Sequence, residues 1–426
     1  MQVKAQNLLQ QHIKSILSLV PDSVRIPVGN QASLRRISNA LLCLQRGLTG
    51  DRGLAGEGYM NKNDLLSAYL LYYWPVSYQQ MRHILRQLPK DALHPSLHAE
   101  DRDFSILDIG SGPGPASAAL CDFLIHKQFI KNRNISVCFT DHSTKATALA
   151  QALFARDFPA VKTESRRSDI EQGTILPPDI QAVKKYSAAL FCHSLNEFWQ
   201  NKAGRIEKRV AIIEQILDQY MEENALLILC EPAQTQSSRE LIAVRDALLA
   251  ARTDLQLLAP CVCANVPCPA LLQGDGSTCH AEGNWEAVEP ATSLAEAAGL
   301  DRQSIKMAYF AFRKGAAEES DSGDSARTPA TATGHSRETC LQDGTFTARI
   351  VSDAMLNKAG RVRFVLCDGK QRFSLSAKKG DAGAGAKGFW NLKRGKRITV
   401  RGAERRGEAE KPSFAMTDGA ELTLLD

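Results

Sequence analysis

The chain has 426 residues, 23% of them charged, with a formal net charge of +5. That is too long for one ordinary domain, so two or three are expected. No apolar run approaches the length of a membrane span, which speaks against a membrane partner. There is also no signal-peptide core followed by a small-residue cleavage site. The 11 cysteines, odd in number and without a secretion signal, argue for a reducing compartment and against a disulfide framework. The charge is uneven: from Arg337 onward there are 18 Lys+Arg against 11 Asp+Glu, a balance of +7, so the preceding residues sum to −2. A near-neutral body with a basic tail suits an acidic partner such as RNA; the alternative is a merely soluble basic surface.

Residues 1–103 read as helical. Met1 to Val20 carries Lys4 and Lys14, no acids, and apolar residues at helical spacing. Lacking arginine and poor in serine, it reads as a first helix of the fold rather than a mitochondrial presequence. Leu65, Leu66, Ala68, Tyr69, Tyr72 and Tyr73 form an apolar face, which Pro75 is expected to break before a second helix, Tyr78 to Leu88. No chemistry is evident here; the region reads as a helical cap.

From 104 to 314 the pattern is α/β. An apolar run, Ser105 to Ile109, stops at Gly110, Gly112 and Gly114, and a helix-compatible segment follows from Ala116. Strand, glycine turn and helix make the ligand-binding corner of an open sheet, where a Cβ would collide with the ligand. The bland alternative is a turn that only links strand to helix. Asp108, just before the turn, can accept hydrogen bonds from a ligand or from the turn's amides. The spacing differs from the dinucleotide fingerprint and lacks the Gly-Lys-Ser/Thr ending of a phosphate loop. It resembles the first motif of S-adenosylmethionine-dependent methyltransferases. That resemblance implies a class I (Rossmann-like) methyltransferase sheet with S-adenosylmethionine held by Asp108, the three glycines, Asp141 and Asp169. Asp141 ends a second strand (Ile135 to Thr140), where an acid can hold both ribose hydroxyls. Asp169 ends a third, where a carboxylate could meet the adenine amino group. Tyr186 to Cys192, Ala225 to Cys230, Leu255 to Ala259 and Ser304 to Arg313 would complete the sheet, the last antiparallel.

After the fourth strand, amino-group methyltransferases often carry Asn/Asp-Pro-Pro-Tyr/Phe. Here the place holds His193-Ser194-Leu195-Asn196. His193 is either a general base or, the reading we favour, a hydrogen-bonded structural residue. No methyl-transfer apparatus beyond a cofactor pocket is evident.

Loop 259–280 holds Cys261, Cys263, Cys268 and Cys279 among prolines and glycines. Such a loop has little apolar material, and thiolates around a metal would supply the missing cross-links. The spacing fits neither the paired Cys-x-x-Cys of zinc ribbons nor the bacterial ferredoxin run. The α/β core, Glu231-Pro232 with Arg245 downstream, and Ala-Pro-Cys…Pro-Cys-Pro…Cys-His together resemble one family. It is the mitochondrial small-ribosomal-subunit assembly family of methyltransferase-like iron–sulfur proteins, with bacterial relatives described as rRNA methylases. The resemblance covers about residues 60 to 314 and, more loosely, 337 to 400. It implies a 4Fe-4S cluster held by Cys261, Cys268, Cys279 and a distant fourth cysteine, best matched by Cys367; zinc is the alternative metal. Two departures stand out. Cys261-Val262-Cys263 replaces Cys-Pro-His, which makes Cys263 a rival ligand. Thr278 replaces a tryptophan before the last loop cysteine.

Residues 315–337 are small, polar and aperiodic, a flexible linker. Beyond, 338–426 shows five short β-type runs with glycine turns, suggesting a small OB-like β-barrel. Lys378, Lys379, Lys387, Lys393, Arg394, Lys396 and Arg397 surround Phe389-Trp390, a combination suited to RNA phosphates and unstacked bases. The alternative is a solvated basic loop with Trp390 in the core. The resemblance implies a monomeric small-subunit assembly factor binding rRNA and S-adenosylmethionine. An active rRNA methyltransferase is the second reading, and a zinc-stabilised enzyme acting on a small molecule the third. The expected location is the cytoplasm of a bacterium or the mitochondrial matrix of a eukaryote.

Overall fold

The computed structural model describes residues 2–20, 31–50, 53–54, 58–93, 103–126, 134–176, 185–300, 302–315, 343–408 and 412–425. The expected linker, Gly315 apart, lies outside the described residues.

The α/β core is a mixed sheet in the order β3-β2-β1-β4-β5-β8-β6, with a short β7 beside β8. Its strands are β1 (Phe104–Ile109), β2 (Ile135–Asp141), β3 (Lys162–Arg167), β4 (Tyr186–Cys192), β5 (Met221–Pro232), β6 (Leu255–Ala259), β7 (Ala281–Asn284) and β8 (Ser304–Lys314). Strands β1 to β5 pair in parallel, while β8 runs antiparallel to β5 and β6, as the sequence predicts. All six β1 residues are buried because both sheet faces are covered. Phe104 and Ile106 pack with the N-terminal helices. Leu107 and Ile109 pack with helices Arg205–Tyr220 and Thr235–Ala251 on the other face.

Pro75 does not break the N-terminal helix. Helix Asn63–Ala68 runs through a π turn, Tyr69–Tyr73, into helix Trp74–Gln87, with the proline in the first turn of that last segment. The chain bonds through the π turn instead, with Trp74 N–H donating to Tyr69 O, so the helix continues past the proline. Helix Gln2–Leu19 is tied to the core through His12, which joins Asp122 (2.9 Å) and Asp157 (2.6 Å). Tyr78 donates to the same Asp122 at 2.5 Å. Burial would lower the His12 pKa, but the two carboxylates outweigh it and raise it to about 9.

The tail folds as a second eight-stranded sheet: β9 (Phe346–Ile350), β10 (Met355–Leu356), β11 (Arg361–Cys367), β12 (Arg372–Lys378), β13 (Arg397–Arg401), β14 (Glu404–Arg406), β15 (Ser413–Ala415) and β16 (Glu421–Leu424). The expected closed OB-like barrel is not found. The order β14-β15-β12-β11-β9-β13-β16 ends in two edge strands, and among the described residues those edges do not pair with each other. Both edges are largely exposed, β14 at every position and β16 at three of four. Phe346, Phe364, Phe373, Phe389 and Phe414 fill the tail's own core.

Candidate functional site

Two sites emerge, one at the sheet's carboxyl edge and one where the tail meets the cysteine loop.

The first is a cavity of about 660 Å³ beyond the ends of β1 to β5. Chain connections run outward from β1 in opposite directions there, the usual ligand position of an open α/β sheet. Gly110 and Gly112 line it from the first turn, Asp141 and Ser143 from the end of β2, and Ser168 to Gln172 from the end of β3. Cys192, His193, Ser194 and Asn196 follow from β4, and Pro232 to Gln234 from β5. Gly110 adopts φ +64°, and a Cβ on it would lie 2.4 Å from the Cβ of Ser194. Asp141 accepts the N–H of Gly112 at 2.9 Å and that of Ser143 at 2.8 Å, so the carboxylate holds the turn in shape. Asp169 also lines the cavity and accepts the N–H of Gln172 at 3.2 Å.

Two of the expected residues sit apart from the cavity wall. Gly114 packs under the turn, where a Cβ would meet the Phe139 ring at 2.9 Å. Asp108 is 1% exposed, takes a 2.6 Å hydrogen bond from Ser117 Oγ, and leaves its Oδ1 buried without a partner. Burial pushes its pKa up to about 7, against the Ser117 hydrogen bonds that lower it.

Three features of this cavity escaped sequence reasoning. The N-terminal helices are part of the wall, supplying Tyr59, Met60, Tyr69, Tyr73 and Gln80. Trp74 Nε1 donates to Pro113 O at 3.1 Å and so braces the glycine turn itself. Glu231, 1% exposed, accepts from the backbone N–H and the side-chain amide of Asn196, and burial pushes its pKa up to about 8. The Asn196 amide is therefore turned inward, towards Glu231 and the His193 carbonyl. His193 bonds Gln80 through Nε2 at 2.7 Å, and burial lowers its pKa to about 4, so it is neutral at neutral pH.

The second site gathers all four expected ligands, Cys261, Cys268, Cys279 and Cys367, with the rival Cys263, around one small cavity. Tail strands β9 and β11 place Arg349 and Cys367 against the loop, and Arg349 Nη1 donates to Cys279 Sγ at 2.8 Å. Arg372 reaches Ser277 Oγ at 2.5 Å and Thr278 O at 2.6 Å. Gly369 (φ +92°) touches Cys263 so closely that a Cβ there would lie 2.6 Å from the Cys263 Cβ. The Cys261 and Cys367 thiols are pushed up by burial, and each is raised further by the charges of Cys279 and Cys268. Cys263 instead turns its Sγ towards Asn265 at 3.6 Å. Arg245 and Arg349, 1% and 2% exposed, line the same cavity. Together with Arg372 they leave three buried donors without partners: Arg245 Nε, Arg349 Nη2 and Arg372 Nε.

The sequence profile of the family described as mitochondrial small ribosomal subunit Rsm22 matches residues 64–388. The chain belongs to the Rsm22 family. The match takes in the cysteine loop, Cys367 and the cavity wall apart from Leu48, Gly58, Tyr59 and Met60. A search of curated protein sequences found no match. Among solved structures, the chain is similar to the plantazolicin methyltransferase BpumL in complex with SAH, at 13% identity and a TM-score of 0.32. That similarity covers 67% of this chain and 98% of that one. It is also similar to a protein of Listeria monocytogenes described as a class I S-adenosylmethionine-dependent methyltransferase, at 12% identity and a TM-score of 0.33, covering 74% and 90%.

In the tail, Phe389 is buried and Trp390 is 38% exposed, so the second ring is the one available at the surface. Lys387 is committed to the Thr417 and Asp418 carbonyls, and Arg394 to Asp353 and the Val351 carbonyl. Lys378, Lys379 and Lys393 remain exposed.

Proposed function

We propose that this Rsm22-family chain binds S-adenosylmethionine in the wide cavity, holds a 4Fe-4S cluster at the tail junction, and acts on rRNA of the small ribosomal subunit as an assembly factor. The observation that carries the cofactor reading is the cavity wall. Glycines at positive φ, a carboxylate at the end of β2 and another just after β3 line one volume at the switch point of the sheet. Gly110 and Gly112 leave room for the ligand's backbone-side atoms, Asp141 lies where ribose hydroxyls would be, and Ser168 to Ile170 where the adenine would be. The partnerless Asp108 Oδ1 offers an acceptor beneath the turn for a cationic amine. When bound, this cofactor supplies an electrophilic methyl group.

The donor set at the junction suits an anionic cluster. Thiolates are the ligands such clusters require, and the buried guanidinium groups of Arg245 and Arg349 would offset the negative charge. Their unpaired N–H groups could donate to cluster sulfur. The mutual influence of Cys261, Cys268, Cys279 and Cys367 favours Cys261 over Cys263 as the first loop ligand. The family's small-subunit description and the exposed Lys378, Lys379, Lys393 and Trp390 support an rRNA partner.

An active rRNA methyltransferase remains the second reading. Against it stands the loop after β4, His193-Ser194-Leu195-Asn196, which lacks the Asn/Asp-Pro-Pro-Tyr/Phe sequence of amino-group methyltransferases. Isothermal calorimetry of the intact protein tests the cofactor reading, and absence of any S-adenosylmethionine affinity would sink it. Mapping rRNA modifications in cells with and without the chain decides between the two readings: a lost methyl mark establishes catalysis.

A further inference from the structure

We propose that Cys192, His193 and Cys230 form a site for a single ion of the zinc class on the wall of the wide cavity, separate from the junction cysteines. The three lie at the carboxyl ends of β4 and β5, where the parallel register sets Cys192 beside Cys230. One ligand atom from each falls within 4.8 Å of the others. Tetrahedral zinc, with bonds of roughly 2.0–2.3 Å, places its ligand atoms roughly 3.5–3.8 Å apart, so a small contraction closes the site.

The histidine is prepared for this role. His193 adopts φ +63°, a conformation that a non-glycine residue takes at a cost, and its N–H donates to the Cys230 carbonyl at 2.7 Å. That turn folds the residue back against the end of β5. Gln80 then fixes the tautomer. Its Nε2 donates to the Lys306 carbonyl at 2.8 Å, so its Oε1 faces His193 Nε2 at 2.7 Å and must accept a proton from it. The proton therefore resides on Nε2, and Nδ1 carries a free lone pair. Nδ1 is buried and has no hydrogen-bond partner. An imidazole held by a carbonyl through one nitrogen and bare at the other is the arrangement that metal-bound histidines show.

Binding would release the two thiol protons to solvent and leave a bis-thiolate, mono-imidazole ion. Cys192 and His193 line the cavity while Cys230 lies fully buried behind them, so the fourth coordination position opens to the cavity. Three protein ligands and one open position define a site able to polarise what enters, rather than a closed structural one. The inference does not depend on S-adenosylmethionine or on the cluster.

The test uses zinc itself, added to the full-length protein and followed by dialysis and X-ray absorption at the zinc edge. The expected result is a shell that includes imidazole nitrogen and sulfur, with the imidazole signal lost in His193→Gln and kept in Cys279→Ser. Cys192→Ser should weaken zinc binding at least tenfold while leaving the melting temperature of the zinc-free protein unchanged. A sulfur-only shell would place all the zinc at the junction and overturn the proposal. So would an imidazole signal that survives His193→Gln, which His280 beside Cys279 would explain, or failure of the wild type to retain zinc.

Discussion

The wide cavity takes its shape from backbone and neutral packing: the positive φ of Gly110 and Gly112, the Asp141 carboxylate bonded to two amides, and Trp74 bracing Pro113. The junction is built the other way, from five cysteines and three arginines drawn from the loop, helix Thr235–Ala251 and the tail sheet. Among the described residues, the buried side-chain polar atoms of the first site that lack a hydrogen-bond partner are one oxygen of Asp108 and one nitrogen of His193. The second holds two almost fully buried guanidinium groups, of which Arg245 is paired with Asp246 while Arg349 relies on Cys279. The contrast predicts that the first site keeps its shape when empty and that the second is stabilised by a bound anionic group.

Breaking this contrast at the junction should give the largest effect. Leaving Arg349 uncompensated in a dry cavity costs about 3–5 kcal/mol. Chelator-treated protein should therefore melt well below loaded protein in calorimetry, with the α/β core still folded; identical melting would mean the junction needs no guest. At the wide cavity, Gly110→Val should abolish S-adenosylmethionine binding while costing about 1–3 kcal/mol of stability, the usual range for one strained residue. Undiminished affinity in titration calorimetry would put the ligand elsewhere.

The next effect concerns helix Gln2–Leu19, which His12 ties to the core. The folded His12 pKa, about 9, exceeds the unfolded value of 6.5, so its contribution is fully present below pH 6.5 and lost as pH rises through about 9. The contribution should be about 1.5–3 kcal/mol, as for hydrogen bonds to charged groups. His12→Gln should flatten the stability profile across that window in chemical denaturation, and a variant that keeps the wild-type slope would contradict the ion-pair account. The smallest change is expected from Lys378→Ala, an exposed tail lysine. It should weaken rRNA binding only a few-fold and reduce the log–log salt slope by about 0.7–0.9, the value of one phosphate contact. An unaltered slope in filter binding would take Lys378 off the RNA.

The glycine turn and the cysteine loop were legible in the sequence because each is a local pattern whose residue types have few other uses. Leu107, Ile109 and Gly110 mark a buried strand entering a ligand turn whatever surrounds them, and four cysteines in a proline/glycine loop have little else to do. What long-range pairing decides was not legible. Cys192 and Cys230 are thirty-eight residues apart in number and become neighbours only through the β4–β5 register. Arg349 and Arg372 carry no local signature in the sequence, and only β9 and β12 bring them to the loop. Pro75 reads as a break unless the π turn before it is known, and without that continuous helix Tyr69 and Gln80 would not reach the cavity. The tail's strands were largely evident in the sequence, but its closure was not, because closure depends on pairing between the edge strands rather than on strand count.

The measurement that tests the central claim most directly is the iron and sulfide content of anaerobically purified protein, compared between wild type and Cys367→Ser. The account predicts about four irons per chain in the wild type. It also predicts that Cys367→Ser loses the cluster and that the tail then moves apart from the core in small-angle scattering. A full complement of iron in Cys367→Ser with unchanged dimensions, or zinc in place of iron in the wild type, would contradict it.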